Sequence, residues 1–570
     1  MAATATVRLR DVFGWAARII GADKGYLVLA VIYGVGLSLL ALATPISVQM
    51  LINSVASTGL RTPLAVLSLA LLGLLLFWAV LAGFRDWMME LFRRRFAARL
   101  VAEITVRAVH AEDPYFLDAR RADIFNRYFE MMTIHKSVPS LFVGSMSIVI
   151  QAGVGIVITS FYHPFFLAFN ILSTLALLGI LFLFLRPGMR SAVELCHRKY
   201  DLAHWLESVG ASDGFYKSAK HMDFAYGRSE RLTAEYVAAH RRHFRWVFPQ
   251  KLGLYVLYAV TSAALLALGG WLVIEEQLSI GQLVAAELIL TGVFYGAAQL
   301  GPYLEEFYNM VAGLEELNQL YSLKREAATG RVKEGLRDST LKLMEVRFTL
   351  PAGPVRMDFS IPEGAKLVAS GDPGMERLFS HLLKRHNRPE SGLVTLGGVD
   401  VASMDKVRLR TEVIVLDRPN LVEVSIEEYL ALANSGGDPA DITAALRLVG
   451  LEDRIAMLPE GMQTILSVTG WPLSLPKTMQ LKLAAAILAR PRILVLSPML
   501  DMVSLHRMED VFRHFAGSRT TIIYFTNRPD EVTLDGFLWL GREEQQVMRE
   551  RSAFDRLRTS VGKGRRLVIA

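Results

Sequence analysis

The sequence predicts an α-helical membrane domain with six transmembrane helices, followed by an α/β domain, and three observations carry that prediction. The 570 residues are 52% hydrophobic and only 21% charged, with a mean hydropathy of +0.33. That is too apolar for an ordinary soluble enzyme and excludes a largely disordered chain. The first half holds six apolar stretches, each long enough for the roughly 20 helical residues that cross a bilayer, and the second half holds none. From about Leu341 the helical periodicity gives way to short apolar runs with helical stretches between several of them, the alternation of a substantially parallel sheet.

The order of elements follows. Residues 1–25 carry Arg8, Arg10, Arg18 and Lys24 around Val12, Phe13, Ala16, Ala17 and Ile20, with no small-residue cleavage site. This excludes a cleaved signal peptide and reads either as an interfacial helix on the cytoplasmic leaflet or as the first turn of the bundle. The membrane domain covers 26–323, with spans near Tyr26 to Leu51, Pro63 to Phe84, Val138 to Phe161, Pro164 to Leu185, Lys251 to Ile274 and Gly281 to Tyr308. Ten Lys and Arg residues lie between spans two and three, eleven between four and five, and only Arg61 in the other three connections. Basic residues stay on the cytoplasmic side, so both long loops and both termini are expected there.

Each long loop is itself helix-like, as in Leu91, Phe96, Leu100 and Ile104, so the membrane helices are expected to continue far beyond the lipid. Breaks at Asp113-Pro114-Tyr115-Phe116, before Asp118-Ala119-Arg120-Arg121, and at Ala211 to Lys217 make two tips suited to docking on a partner domain, or simply solvated turns. A polar linker occupies 324–340, beginning Lys324-Arg325-Glu326-Ala327-Ala328-Thr329-Gly330. The α/β domain covers 341–570, with strands at Lys366 to Ala369, Val413 to Leu416, Ile493 to Leu496, Thr521 to Phe525 and Phe537 to Leu540.

The net charge of +7 is accounted for by the membrane-side arginines, so no nucleic-acid partner is expected. The single cysteine, Cys196, excludes an intramolecular disulfide framework and reads as an inert buried residue. Glu287 within the sixth span either lines a cargo path or is satisfied against another helix, and Glu305 and Glu306 lie near its inner end. His197, His204, His221, His240 and His243 show no metal-ligand spacing and read as solvated or packing residues.

In the second half, Ser370-Gly371-Asp372-Pro373-Gly374 stands where a phosphate loop belongs, and Ser391 to Asp400 matches the hairpin that follows one. Leu458-Pro459-Glu460-Gly461-Met462-Gln463-Thr464 precedes a signature position, and Ala489-Arg490-Pro491-Arg492-Ile493-Leu494-Val495-Leu496 leads to a Walker B end. By order and spacing over nearly the whole chain, the sequence resembles an exporter-type ABC transporter half, a six-helix membrane domain fused to an ABC-type nucleotide-binding domain. The membrane half is similar to exporters of type I secretion. The resemblance implies ATP and magnesium as cofactors and a dimer in which each nucleotide lies between one chain's phosphate loop and the other's signature.

The residues depart from that chemistry. Aligned on Gly371 and Gly374, Glu376 stands at the last glycine of the phosphate loop, Arg377 at the lysine and Leu378 at the magnesium-binding hydroxyl. A carboxylate in a phosphate cradle is repulsive, and Leu378 carries no ligand atom. The Walker B aspartate and glutamate align with Ser497 and Pro498, and proline offers no general base. The magnesium-sensing glutamine aligns with Asp417, the switch histidine with Asn527, and the adenine-stacking aromatic with Leu350. The signature L-S-G-G-Q reads Leu473-Ser474-Leu475-Pro476-Lys477, so both glycines are lost and Pro476 has no N–H. Gly371, Gly374, Arg377 and Ser474 remain as vestigial nucleotide contacts.

Three functional readings follow. The first is a pseudo-ATPase subunit of a dimeric exporter, homodimeric or paired with another ABC half. The second is a non-transporting membrane scaffold or regulator of a secretion assembly, with a periplasmic adaptor protein as a possible partner in either case. The third is an active ATPase with rearranged residues, Asp417 or Asp501 supplying the magnesium ligand, although Asp501 in Met499-Leu500-Asp501-Met502 reads better as a surface or capping residue. Since the first membrane helix begins near Tyr26, no amino-terminal peptidase domain is expected.

Overall fold

The computed structural model describes residues 8–58, 61–112, 114–116, 122–212, 214–326, 336–350, 353–434 and 436–566. Asp113, Asp118, Ala119, Arg120 and Arg121 of the first tip, Asp213 of the second and Ala327-Ala328-Thr329-Gly330 of the linker lie outside the described residues. The chain divides into two compact units, Met1–Glu326 and Ala327–Ala570.

In the first unit α1 (Leu9–Ile19) precedes α2 (Lys24–Ala41), α3 (Ala43–Thr58), α4 (Arg61–Val109), α5 (Glu130–Pro139), α6 (Met146–Ser160), α7 (Pro164–Gly210), α8 (Ala219–Ile274), α9 (Ile280–Ala298) and α10 (Leu300–Tyr321). Among the described residues, six helical segments are long and apolar enough to cross a membrane. The first span is broken between α2 and α3 just before Pro45, and Pro164 occupies the first position of α7, where its missing N–H costs nothing. Ser279 and Gln282 form a reciprocal capping box that starts α9 after a short turn. Asn170 of α7 is buried, and its amide nitrogen donates to the hydroxyls of Thr159 and Ser160 on α6, at 3.0 and 2.9 Å, which joins the two helices inside the bundle.

The helices α4, α7 and α8 run for 49, 47 and 56 residues, more than twice what the hydrocarbon requires. Their charged halves bury a core of their own: Phe92, Phe96 and Leu100 of α4 pack with Ile134 and Val138 of α5, Met189 and Val193 of α7, and Val311 and Leu314 of α10. One face of α1 joins this core through Val12 and Ile19, and Arg18 donates to Asn318 of α10 at 3.0 Å, while Phe13 points outward. Both tips are non-helical where described, the second with Gly214 in the left-handed region ahead of a short 3-10 turn at Phe215–Lys217. Beyond α10, the backbone of Lys324 and Glu326 pairs with Glu112 and His110 at the end of α4.

The second unit contains two sheets. Strands β1 (Leu341–Leu350), β2 (Gly353–Ile361), β4 (Ser391–Leu396) and β5 (Val399–Asp400) form an antiparallel sheet in the order β2-β1-β4-β5. Strands β3 (Lys366–Gly371), β6 (Val413–Leu416), β7 (Ile493–Leu496), β8 (Thr521–Phe525), β9 (Gly536–Leu540) and β10 (Gln545–Met548) form the order β10-β9-β3-β8-β7-β6, parallel except for β10. The expected parallel strands are all present. The antiparallel sheet and β10 are additions that the parallel pattern did not predict.

Between these strands lie α11 (Met375–Leu383), α12 (Lys406–Glu412), α13 (Ile426–Ala433), α14 (Pro439–Val449), α15 (Glu452–Ala456), α16 (Leu475–Ala489) and α17 (Leu505–His514), with α18 (Arg551–Arg566) last. The two sheets and α11 enclose one core, around Leu343, Met357, Phe379 and Ile523. The helices α13 to α17 close a second around Ile426, Met479, Leu483 and Phe512.

Asp23 tests how the first unit is held. Its side chain is fully buried between α1 and α4, where Arg99 donates to it at 2.8 and 3.0 Å and Arg95 approaches to 3.2 Å. Arg99 also reaches the Ile19 carbonyl at 2.6 Å and Glu103 at 2.7 Å. Removing one partner of a buried pair strands the other charge. Asp23→Ala is expected to destabilise the protein by about 3 kcal/mol, and Asp23→Asn by less. Thermal unfolding of the detergent-solubilised chain measures both.

Candidate functional site

The loop between β3 and α11, where the sequence places a phosphate loop, turns on two glycines. A side chain at Gly371 would place a Cβ 2.3 Å from the Leu540 carbonyl oxygen, so only glycine fits between β3 and β9. Gly374 has φ +88° and caps α11, a conformation other residues rarely adopt. Asp372 pins the loop to the strand beside it, donating its N–H to the Leu540 carbonyl at 2.9 Å and accepting from the Arg542 N–H at 3.0 Å.

Residues with side chains follow at once, and the chain turns into helix at Met375. Leu378 points into the core between the sheets, 4% exposed and packed among its apolar residues. Arg377 lies on the outer face of α11. Glu376 faces inward in the first turn. Burial pushes its carboxyl up to about 7, and the negative charges of Asp417, just after β6, and Asp501 add to the shift. Three acidic side chains therefore gather beside the loop.

Two lysines that sequence reasoning missed lie near the same acids. Burial pulls Lys482 of α16 down to about 8, with Asp417 opposing the shift and Lys384 and Arg418 adding to it, and Lys384 is lowered for the same reason. Lys482 donates to the Asn420 carbonyl at 2.9 Å. Neither lysine sits at a position that a phosphate-loop motif marks, which is why spacing alone gave no signal.

At the end of β7, Ser497 and Pro498 serve as a helix start. Ser497 is buried; its hydroxyl accepts from the Met499 N–H at 3.3 Å, and its own N–H donates to the Leu416 carbonyl at 3.1 Å. Pro498 takes the first position of the 3-10 turn Pro498–Met502. This is the arrangement in which serine caps and proline follows at no cost.

Asp501, in that same turn, is the hub of the site. Its carboxylate accepts from the Tyr524 hydroxyl at 2.6 Å, the Thr526 hydroxyl at 2.7 Å and the Asn527 N–H at 2.9 Å, and its carbonyl accepts from the Arg528 guanidinium. Both carboxylate oxygens thus tie the turn after β7 to Tyr524 near the end of β8 and to the segment carrying Asn527, a structural role of the kind the sequence suggested for Asp501.

The remaining predicted positions lie apart. Ser474 is the residue before α16, with Leu475 and Pro476 as that helix's first two residues, Leu475 substantially exposed. No hydrogen bond joins Ser474 to the β3–α11 loop among the described residues. Leu350 ends β1 and packs on the core between the sheets. In the first unit, Glu305 pairs with Lys251 at 2.6 Å, and Glu306 accepts from Ser137 at 2.7 Å.

No family model matches the chain. It is 24% identical over 498 residues to the cyclolysin secretion/processing ATP-binding protein CyaB of Bordetella pertussis, covering 85% of this chain and 70% of that protein. It is 26% identical over 503 residues to the alpha-hemolysin translocation ATP-binding protein HlyB of Escherichia coli, covering 86% and 71%. A solved bacterial Atm1-family ABC exporter with ATP bound superimposes with a TM-score of 0.74 over 93% of this chain and 96% of that one, at 18% identity.

Two outcomes check the site. The raised carboxyl of Glu376 means that its charged form is disfavoured in the folded chain. The penalty is absent below the unfolded value near 4.5 and complete above about 7. Glu376→Gln is therefore expected to stabilise the protein at pH 8 by about 1 kcal/mol after solvent screening, with the gain vanishing by about pH 4.5; melting curves across that range read it. Asp501→Ala, which strands three donors, is expected to cost about 2 kcal/mol or more, read by the same measurement at pH 7.5.

Proposed function

We propose that this chain, an exporter-type ABC transporter half related to the type I secretion exporters, is a subunit of a dimeric exporter whose own ATPase site no longer hydrolyses ATP. The observation that carries this reading is the end of β7. Where a magnesium ligand and a base for the attacking water would have to stand, Ser497 uses its hydroxyl to cap a turn and Pro498 has no side chain that takes a proton.

The residues present do not fit magnesium-ATP. The side chain at the hydroxyl position, Leu378, is buried hydrocarbon. Glu376, Asp417 and Asp501 bring negative charge to the place where a triphosphate would need donors and cations. Asn527 stands at the switch position, with its backbone held by Asp501. What the domain retains is a packed scaffold able to pair with another ABC half and follow its movement.

In this proposal the chain lies in a bacterial inner membrane with both termini cytoplasmic, a reading supported by the arginines on the long helices. The partner is a second copy or an active ABC half, and a periplasmic adaptor protein completes the assembly. The relatives' names describe toxin secretion, so a secreted polypeptide is the class of cargo.

A second reading has one observation in its favour. The signature side is altered as well, with Pro476 in the first turn of α16 and Leu475 exposed beside it. Even an active partner would then find neither composite site fully equipped, which favours a non-transporting scaffold of a secretion assembly.

Purified alone in nanodiscs, the chain is expected to show no ATP hydrolysis above background, and Pro498→Glu is not expected to restore it, because Leu378 and Glu376 remain. Turnover by the unmodified chain that is abolished by Asp417→Ala would sink the proposal and reinstate a rearranged active site. Of the two idle readings, ATP-driven transport after reconstitution with a copurifying ABC half selects the exporter subunit, and its absence selects the scaffold.

A further inference from the structure

We propose that His197, Glu315 and Glu316 form a binding site for a divalent transition-metal ion of the zinc class, joining α7 to α10 in the first unit. His197 stands on the part of α7 beyond its apolar stretch, and the two glutamates near the end of α10. The His197 Nε2 lies 2.9 Å from Glu315 Oε2 and 3.6 Å from Glu316 Oε1, and the three ligand atoms all lie within 4.8 Å of one another. Around a tetrahedral zinc with bonds of about 2.0 to 2.2 Å, neighbouring donor atoms are about 3.3 Å apart. The two distances from His197 Nε2 bracket that value, and the 4.8 Å bound on the group leaves room for an ion between the three atoms.

The state of Glu316 points to a ligand. Its side chain is 0% exposed, and its two oxygens are treated differently. Oε2 accepts from Arg127 Nε and Gln319 Nε2, each at 3.1 Å. Oε1, equally buried, accepts no hydrogen bond and faces the His197 ring. A buried carboxylate oxygen without a partner is costly. A protonated imidazole alone does not resolve this, because its Nε2–H is directed at Glu315. A cation between the three groups would satisfy all of them at once.

The surroundings suit a metal. Arg127 and Gln319 fix the orientation of the Glu316 carboxylate from behind, as outer-shell partners of metal ligands do. The Arg127 charge is shared with Asp123 at 2.8 Å, so the two glutamates keep a net attraction for a dication. His197 is 41% exposed and Glu315 is 21% exposed, which leaves an entry path and a fourth position for water. An imidazole nitrogen among the donors selects a transition metal over magnesium or calcium. Histidine spacing along the sequence did not reveal this group, because its two carboxylates lie 118 and 119 positions further on.

The test uses the full-length chain in detergent, free of affinity tag and stripped with EDTA. Titrated with Co²⁺ as a spectroscopic probe, it is expected to bind one ion per chain in a site that Zn²⁺ displaces, with Zn²⁺ raising the thermal unfolding midpoint. His197→Ala and Glu315→Gln, at partly exposed positions where folding survives, are each expected to weaken binding by at least about tenfold and to abolish the zinc-dependent rise. Absence of stoichiometric binding by the unmodified chain, or binding unchanged in the doubly substituted chain, would overturn the proposal.

Discussion

A helix that leaves the hydrocarbon must find something else to bury, and the architecture of the first unit depends on how it does so. Inside lipid, backbone hydrogen bonds alone enforce helix, since water is unavailable as a partner. Beyond it, α4, α7 and α8 run on through residues rich in charge. They stay helical because one face of each closes over a shared core around Phe92, Phe96, Met189 and Val311. Ion pairs on buried carboxylates then fix how the segments meet: Asp23 with Arg99, Glu130 with Lys199, and Glu316 with Arg127. These pairs bring little net stability when made, but they penalise any register that separates them.

The second unit shows a different division between scaffold and chemistry. The glycines of the β3–α11 loop stand where the fold needs them. Gly371 remains where a strand passes too close for a side chain, and Gly374 where the backbone turns left-handed. The positions that follow serve packing and capping. Leu378 fills the core between the sheets, Ser497 and Pro498 start a turn, and Asp501 gathers hydrogen-bond donors from the end of β8 and the segment after it.

The large-scale order was legible in the sequence because hydropathy and charge speak for whole segments. Six apolar stretches, arginine-rich connections and a change of period near Leu341 do not depend on any single contact. The β3–α11 loop was legible because glycine is required there for steric reasons. What could not be read were groups assembled from distant positions. The Asp501 carboxylate collects donors from residues 23 to 26 positions later, and the raised carboxyl of Glu376 reflects Asp417 and Asp501, which approach only in the folded sheet. His197 and its two glutamates belong to the same class, since helix periodicity places each on its own helix and says nothing of which helices meet.

The turn after β7 has a consequence for how this sequence can change. Ser497 and Pro498 are interdependent, because the serine hydroxyl accepts from the first free N–H after the proline. The turn they begin carries Asp501 to its three donors. The end of β7 is thereby tied to the end of β8 and the segment after it through one short turn, so a side chain at position 497 that could not accept the Met499 N–H would loosen both strand ends at once.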